Sequence, residues 1–146
     1  MAEVTLREVT KETVRSVIDL EVAENQSHLV APNAMSIAEA YFEPKAWFRA
    51  IYADDEPVGF IMLADDPDAS RYYLWRMMLA EGQQRKGYGR RALELLVDYV
   101  RTRPNATEIT VGSVPEEGSP QAFYEGFGFV PTGEVHRGEV MLRLEL

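Results

Sequence analysis

The chain has 146 residues, 46% of them hydrophobic and 27% charged, with no cysteine and a net charge of −9. That length and apolar content suit one domain with a packed core and argue against wholesale disorder. The lack of cysteine excludes a disulfide framework, a thiolate metal site and a cysteine nucleophile.

In chain order, Val4–Val9 reads as a first strand. Val14, Val17 and Ile18 recur at helical spacing and predict a helix over about Lys11–Ala23. The stretch Glu24–Met35 reads as a loop, with Pro32 and Asn33 as breakers. Ser36 and Glu39 have the spacing of a capping box, so a second helix is expected from Ile37 to about Glu43, stopped by Pro44. Strands are predicted at about Ala46–Ala53 and Val58–Ala64, joined as a hairpin through Asp54–Pro57. A turn at Asp65–Asp68 leads into a fourth strand, Tyr72–Leu79. Leu93, Leu96, Val97 and Val100 form the core stripe of the longest helix, about Gly87–Arg101, which Pro104-Asn105 ends. A strand at Glu108–Ser113 follows. Ser119 then fits an N-cap and Pro120 a first helical position, giving a short helix that stops near Gly126 or Gly128. Strands at about Phe129–Thr132 and Glu139–Leu144 close a mixed α/β domain spanning residues 1–146, with about seven strands and about four helices.

The longest apolar runs, such as Phe60–Ala64, are too short to span a bilayer. Met1–Val4 lacks a basic region followed by an apolar stretch, so no signal peptide is expected and a cytoplasmic protein is. Charge is unevenly placed. Residues 83–103 hold six cations (Arg85, Lys86, Arg90, Arg91, Arg101 and Arg103) against Glu94 and Asp98, a local +4 that leaves −13 elsewhere. A confined anion site on an acidic protein is the reading, with a solvated helix face as the alternative for Arg101 and Arg103. No broad basic surface exists for nucleic acid. Two histidines, His28 and His136, without cysteine offer no zinc set, and no metal is expected.

The segment Leu79–Arg90 carries the clearest chemistry: strand, loop, the spaced pair Gly87 and Gly89, then a helix. Glycines let backbone approach an anion, and free N–H groups at a helix start point towards it. No Walker string occurs. Gly87–Ala92 matches the dinucleotide pattern, yet seven residues separate Leu79 from Gly87, and Glu108 falls at the start of its strand. A structural glycine turn is the remaining alternative.

Gln84-Arg85-Lys86-Gly87-Tyr88-Gly89 fits in full the acetyl-CoA signature of the GNAT N-acetyltransferase superfamily, which the element order also resembles. Ser119–Phe129, with Phe123-Tyr124 and Gly126-Phe127, is similar to that superfamily's short helix. Glu117 and Pro120 stand where many members have Asn and Ala. The resemblance implies a mostly antiparallel sheet and direct transfer of acetyl from acetyl-CoA to a small primary amine. It implies a coenzyme site at Met77, Met78, Leu79, Gln84, Arg85, Lys86, Gly87, Tyr88, Gly89 and Arg90, with a backbone N–H near Met78 or Leu79 for the thioester oxygen. Tyr124 is implied as proton donor to the leaving thiolate. With Phe123 and Phe127 assigned to the core face, Tyr124 is expected about 100° away from it, a buried structural aromatic being the alternative.

A narrower likeness is to bacterial-type spermine/spermidine acetyltransferases. It rests on Glu24-Asn25-Gln26, Arg76, the Gln84 loop, Gly133-Glu134 and Gly138–Met141. It implies a polyamine acceptor and substrate contacts at Glu24, Asn25, Gln26, Arg76 and Glu139. Glu24 and Glu139 are candidates for the base, and each reads equally well as a surface acid. An antibiotic or protein amino group as acceptor, a non-catalytic acyl-CoA sensor, and a homodimer all stay open.

Overall fold

The computed structural model describes residues 2–146. Its elements run β1 (Val4–Arg7), α1 (Val14–Ile18), a 3₁₀ turn (Glu24–Gln26), α2 (Asn33–Phe42), β2 (Ala46–Ala53), β3 (Glu56–Asp66) and β4 (Arg71–Leu79). They continue as α3 (Tyr88–Arg101), β5 (Glu108–Ser113), α4 (Gln121–Phe127), β6 (Val130–His136) and β7 (Glu139–Glu145). Seven strands make one sheet in the order β1-β2-β3-β4-β5-β7-β6. Every neighbouring pair is antiparallel except β4 with β5. The expected mixed, mostly antiparallel α/β fold is what forms.

Both faces of the sheet's centre are covered, so β3 is buried continuously from Val58 to Leu63 rather than alternating. On one face α3 lays Ala92, Leu93, Leu96, Val97 and Val100 against Ile61, Leu63, Leu74 and Val111. On the other, Val17 of α1 packs with Phe60, Met62 and Met78, flanked by Ile37 and Ala40 of α2. Towards β6 this second face is left bare, and all seven residues of β6 are exposed. Among the described residues no helix is long and apolar enough to cross a membrane.

Helices α1 and α2 depart from expectation. Helix α1 is only five residues long, because Leu20 and Val22 leave its stripe to pack beside the second core cluster. Residues Pro32 and Asn33 do not break a helix but start one. Pro32 holds the extended conformation of a cap, its carbonyl accepts from the Met35 and Ser36 N–H groups, and α2 runs from Asn33. The Ser36/Glu39 pair is no capping box; both side chains take the Arg76 guanidinium of β4. Helix α4 likewise begins one residue later than predicted, with Pro120 as its cap.

Buried Asn33 ties these pieces together: its side-chain amide donates to the Val17 carbonyl at 2.9 Å, where α1 ends. The same carbonyl accepts the Leu20 N–H at 3.3 Å, so Asn33→Ala removes the shorter of its hydrogen bonds and the link between α2 and α1, a loss of about 1 kcal/mol. Thermal melting should fall by several degrees, and an unchanged melting temperature would show that the carbonyl is satisfied otherwise.

Candidate active site

Strands β4 and β5 pair only at Tyr73–Thr110 and Leu74–Val111. Beyond that point they part, although β4 runs on for five residues and β5 for two. A bulge in β4, opposite Met62–Leu63, marks the same place. Before it Tyr72 and Leu74 face α3; after it Met77 and Leu79 do, while Met78 turns to the other face. The extra residue reverses side-chain parity and bends the strand. Ala80 donates to the Val58 carbonyl of β3 at 2.9 Å. By the alternation of a strand, the Met78 N–H also points to β3, and those of Met77 and Leu79 point into the opening. Of the two residues expected to donate, Met78 turns its N–H to β3 and Leu79 turns its own to the opening, as does Met77.

A cavity of about 410 Å³ lies at the end of β4, between the start of α3, α4 and residues 22–30. Met77, Met78, Leu79, Gln84, Arg85, Gly87, Gly89, Arg90, Gln26 and Tyr124 all line it. The loop ahead of α3 is held in a tight curl with Arg85 at φ 64° and Gly87 at φ 83°. Gly87 is the N-cap residue of α3 and needs that left-handed conformation, which a side chain disfavours. No side chain caps the helix, so the first N–H groups of α3 are unclaimed by the protein. Gly89 differs from expectation: a Cβ there would lie 3.2 Å from the Phe123 ring and 3.3 Å from Leu79, so its bareness admits those neighbours. Lys86 and Tyr88 do not line the cavity. Lys86 reaches Gln83 at 3.4 Å, and Tyr88 packs against the α3-side core.

Two polar ties roof the cavity. Gln84 donates to Gln26 at 3.0 Å, and His28 bonds Glu116 across to the loop before α4. Glu24 and Asn25, in the same turn as Gln26, stay exposed. The apolar wall of Val22, Leu29 and Val30 gave no sequence signal, because those residues sit in an irregular segment without periodicity.

Tyr124 is on the buried face of α4, 4% exposed, against Phe129 at 5.5 Å between ring centroids, while Phe123 is 39% exposed. The expected faces are thus exchanged for Phe123 and Tyr124, while Phe127 packs against the core as expected. The cause is the turn of α4 against the β5–β7 region, which brings Tyr124 and Phe129 into the core and leaves Phe123 over Gly89. Burial, first, and then the nearby Tyr73 and Glu139 push the Tyr124 phenol well above its ordinary range, with no hydrogen bond contributing. At neutral pH it is a protonated phenol facing a cavity.

Arg76 and Glu139 are not in this cavity. They line a separate basin of about 720 Å³, with Tyr73, Trp75, Glu134 and Arg137. Arg76 is tied to Ser36 and Glu39 of α2. Among the described residues no group of three or more His, Cys, Asp or Glu is placed to hold a metal.

Comparison with known proteins agrees with this geometry. The family described as "Acetyltransferase (GNAT) family" matches residues 14–129. A spermine/spermidine N(1)-acetyltransferase of Bacillus subtilis is 24% identical over 98% of this chain and 99% of its own. Among solved structures, an aminoglycoside acetyltransferase in complex with coenzyme A superposes with a TM-score of 0.78 at 19% identity, covering 98% of this chain and 95% of that one. The PaiA N-acetyltransferase of Thermoplasma acidophilum, also with coenzyme A, gives 0.73 at 15%, covering 99% of each.

The buried phenol has a thermodynamic signature. Its folded pKa lies above the unfolded value of about 10, so the folded state keeps its proton while the unfolded state loses one. Stability is complete below pH ~10 and falls above it, by up to about 1.4 kcal/mol per pH unit for this group. Tyr124→Phe should flatten the decline in melting temperature between pH 9 and 11, in units set by that slope. Parallel curves for variant and wild type would mean that Tyr124 ionises as freely folded as unfolded.

Proposed function

Because the chain belongs to the acetyltransferase (GNAT) family, we propose that it transfers an acetyl group from acetyl-CoA to a primary amine of a small molecule, with a polyamine as the acceptor class. The observation that carries this is the uncapped N-terminus of α3, entered through left-handed Arg85 and Gly87, opening onto the gap between β4 and β5. The residues fit the coenzyme. A pyrophosphate finds free N–H groups, the Arg85 and Arg90 guanidiniums, and open space at Gly87, where a Cβ would meet nothing within 4 Å.

Bound there, acetyl-CoA supplies an acyl group activated as a thioester. The protein's part is positional and electrostatic. The Leu79 or Met77 N–H, aimed into the opening and free of β3, donates to the thioester oxygen as negative charge builds on it. Tyr124 keeps its proton at working pH and delivers it to the departing sulfur. The amine approaches through the basin on the other face, past Tyr73 and Glu139. A polyamine acceptor draws support from the likeness to spermine/spermidine acetyltransferases and from the excess of acids outside the coenzyme loop. Arg71 and Arg137 also line the basin and oppose a polycation, so salt dependence is the deciding readout.

The test is thiol release from acetyl-CoA across a panel of amines, with acetyl-CoA binding followed by calorimetry. Spermidine should be acetylated, more slowly at high salt, and Arg85→Ala should weaken acetyl-CoA binding. Binding unaffected by Arg85→Ala in a folded variant would remove the coenzyme assignment, and an amine with a neutral tail used equally well at low salt would remove the polyamine.

Tyr124→Phe keeps the ring and removes the proton. Turnover should fall about 10²–10⁴-fold with little change in acetyl-CoA affinity, because the proton is needed only as the sulfur leaves. Turnover within a few-fold of wild type would return Tyr124 to a packing role.

A further inference from the structure

Helix α2 is amphipathic in the wrong sense for a surface helix. Its polar residues turn into the molecule: Asn33 and Ser36 are 2% and 1% exposed, and Glu39 is drawn to Arg76. Its exposed residues are Ala34, Met35, Ala38, Tyr41 and Phe42, none of them charged. At 3.6 residues per turn these five fall within about 120° of the helix circumference, so they make one continuous face. Ile37 and Ala40, on the opposite side, pack in the second core cluster. A surface helix ordinarily gives its apolar stripe to the core and its polar residues to water. Here the core side is already filled, and a second apolar face is left over.

That face is large for a ten-residue helix. Tyr41 is 84% exposed, Phe42 80% and Met35 52%. The two rings meet edge to face with centroids 5.0 Å apart, so they stand out as one aromatic projection. An aromatic side chain buries about 150–250 Å² when covered, so the pair offers roughly 300 Å², and Met35 with the two alanines brings the face to about 500 Å². Doubled across two identical partners, about 1,000 Å² reaches the lower bound of a specific interface. Val130 and Val135 are also exposed, but they lie apart on β6, where Pro131 and a break in the pairing with β7 blunt the edge.

We propose that this face is the interface of a two-fold homodimer, in which α2 packs antiparallel against α2 of a second copy. Charge selects that occupant. The chain carries −9, so two copies repel over most of their surface and can approach best where no charge is presented. A partner chosen by opposite charge would be held by charged side chains, and this face has none. Shape selects it as well. About a two-fold axis at Ala38, Ala34 meets Phe42 of the second copy, and Met35 meets its Tyr41. Small residues thus oppose large ones and a thioether opposes a ring, in both directions, as a self-complementary patch requires. Ala38 on the axis lets the two backbones come close, and antiparallel helices set opposite dipole ends side by side. The contact bears on the site. Helix α2 holds Arg76 through Ser36 and Glu39, and the end of α1 through Asn33, just ahead of the 22–30 wall of the cavity.

Sedimentation equilibrium of the full chain, 16.5 kDa as a monomer, tests this. Wild type should have twice that mass at about 100 µM and dissociate on dilution, as a small interface allows. Phe42→Glu and Ala38→Arg change exposed positions, so far-UV spectra should stay as in wild type while each weakens the dimer by about 30-fold or more. Val130→Glu, on the β6 edge, should leave the dimer intact. The chain has no cysteine, so Ala38→Cys carries a single thiol, at the axis. A short bis-maleimide should join two copies of that variant, and should not join two copies of Val130→Cys. A wild type that stays monomeric throughout would overturn the proposal and leave the face to a different protein. A dimer that survives both Phe42→Glu and Ala38→Arg, or links as readily through Val130→Cys, would overturn it by placing the interface elsewhere.

Discussion

Everything at this site follows from two strands that start together and then separate. The parallel contact of β4 and β5 lasts two residue pairs, at Tyr73–Thr110 and Leu74–Val111. Up to that point the sheet is continuous and its backbone groups are paired. Past it, the facing edges of both strands carry N–H and C=O groups that no strand satisfies. Unpaired backbone inside a fold is costly unless water or a ligand meets it. The gap is thus a ready set of fixed dipoles, and the core on either side keeps it from closing. Cluster packing of α3 against β4 holds one wall, and the antiparallel pairing of β5 with β7 holds the other.

The surroundings of the gap differ in chemistry from one side to the other. On the α3 face, free N–H groups and guanidiniums gather where an anion would lie, and a protonated phenol stands nearby. On the other face, aromatic rings and a carboxylate without an ion-pair partner line an open basin. Group transfer between two bound molecules needs such an arrangement, with each reactant held from its own side and the reacting atoms meeting in the middle. Side chains from β4, α4 and β7 meet at this junction. The roof over the α3-side cavity depends on polar ties between loops, Gln84–Gln26 and His28–Glu116. Those are exposed contacts of modest strength, suited to a cover that must open for exchange.

Regular elements with strong periodicity were legible in the sequence. The stripe Leu93, Leu96, Val97 and Val100 located α3 to within a residue, and β2 and β5 appear with the predicted bounds. The strand, glycine loop and helix start were legible as local structure, because left-handed Gly87 sits where the loop turns into α3. Proline misled where its two meanings compete: Pro32 opens a helix here, and the Ser36/Glu39 spacing that suggested a cap serves a contact with Arg76 forty residues away. Spacing on α4 could not say which face is buried, since seven residues make only two turns and the choice between Phe123 and Tyr124 is made by Phe129 and the sheet. The bulge in β4 and the approach of Glu139 and Tyr73 over Gly112 depend on strand pairing, which a sequence does not display. A lone glycine within the otherwise alternating Ile109–Ser113 was the available hint.

The central claim is that the parted edge of β4 and the first turn of α3 together receive acetyl-CoA. Amide resonances report on those groups one by one. In ¹⁵N-labelled protein titrated with coenzyme A, the largest shifts should fall on the N–H groups of Leu79 or Met77 and of Gly87 through Arg90, saturating together with one affinity. Shifts confined to the exposed β6–β7 edge, or amides at 77, 79 and 87–90 that stay in place while binding saturates, would contradict it.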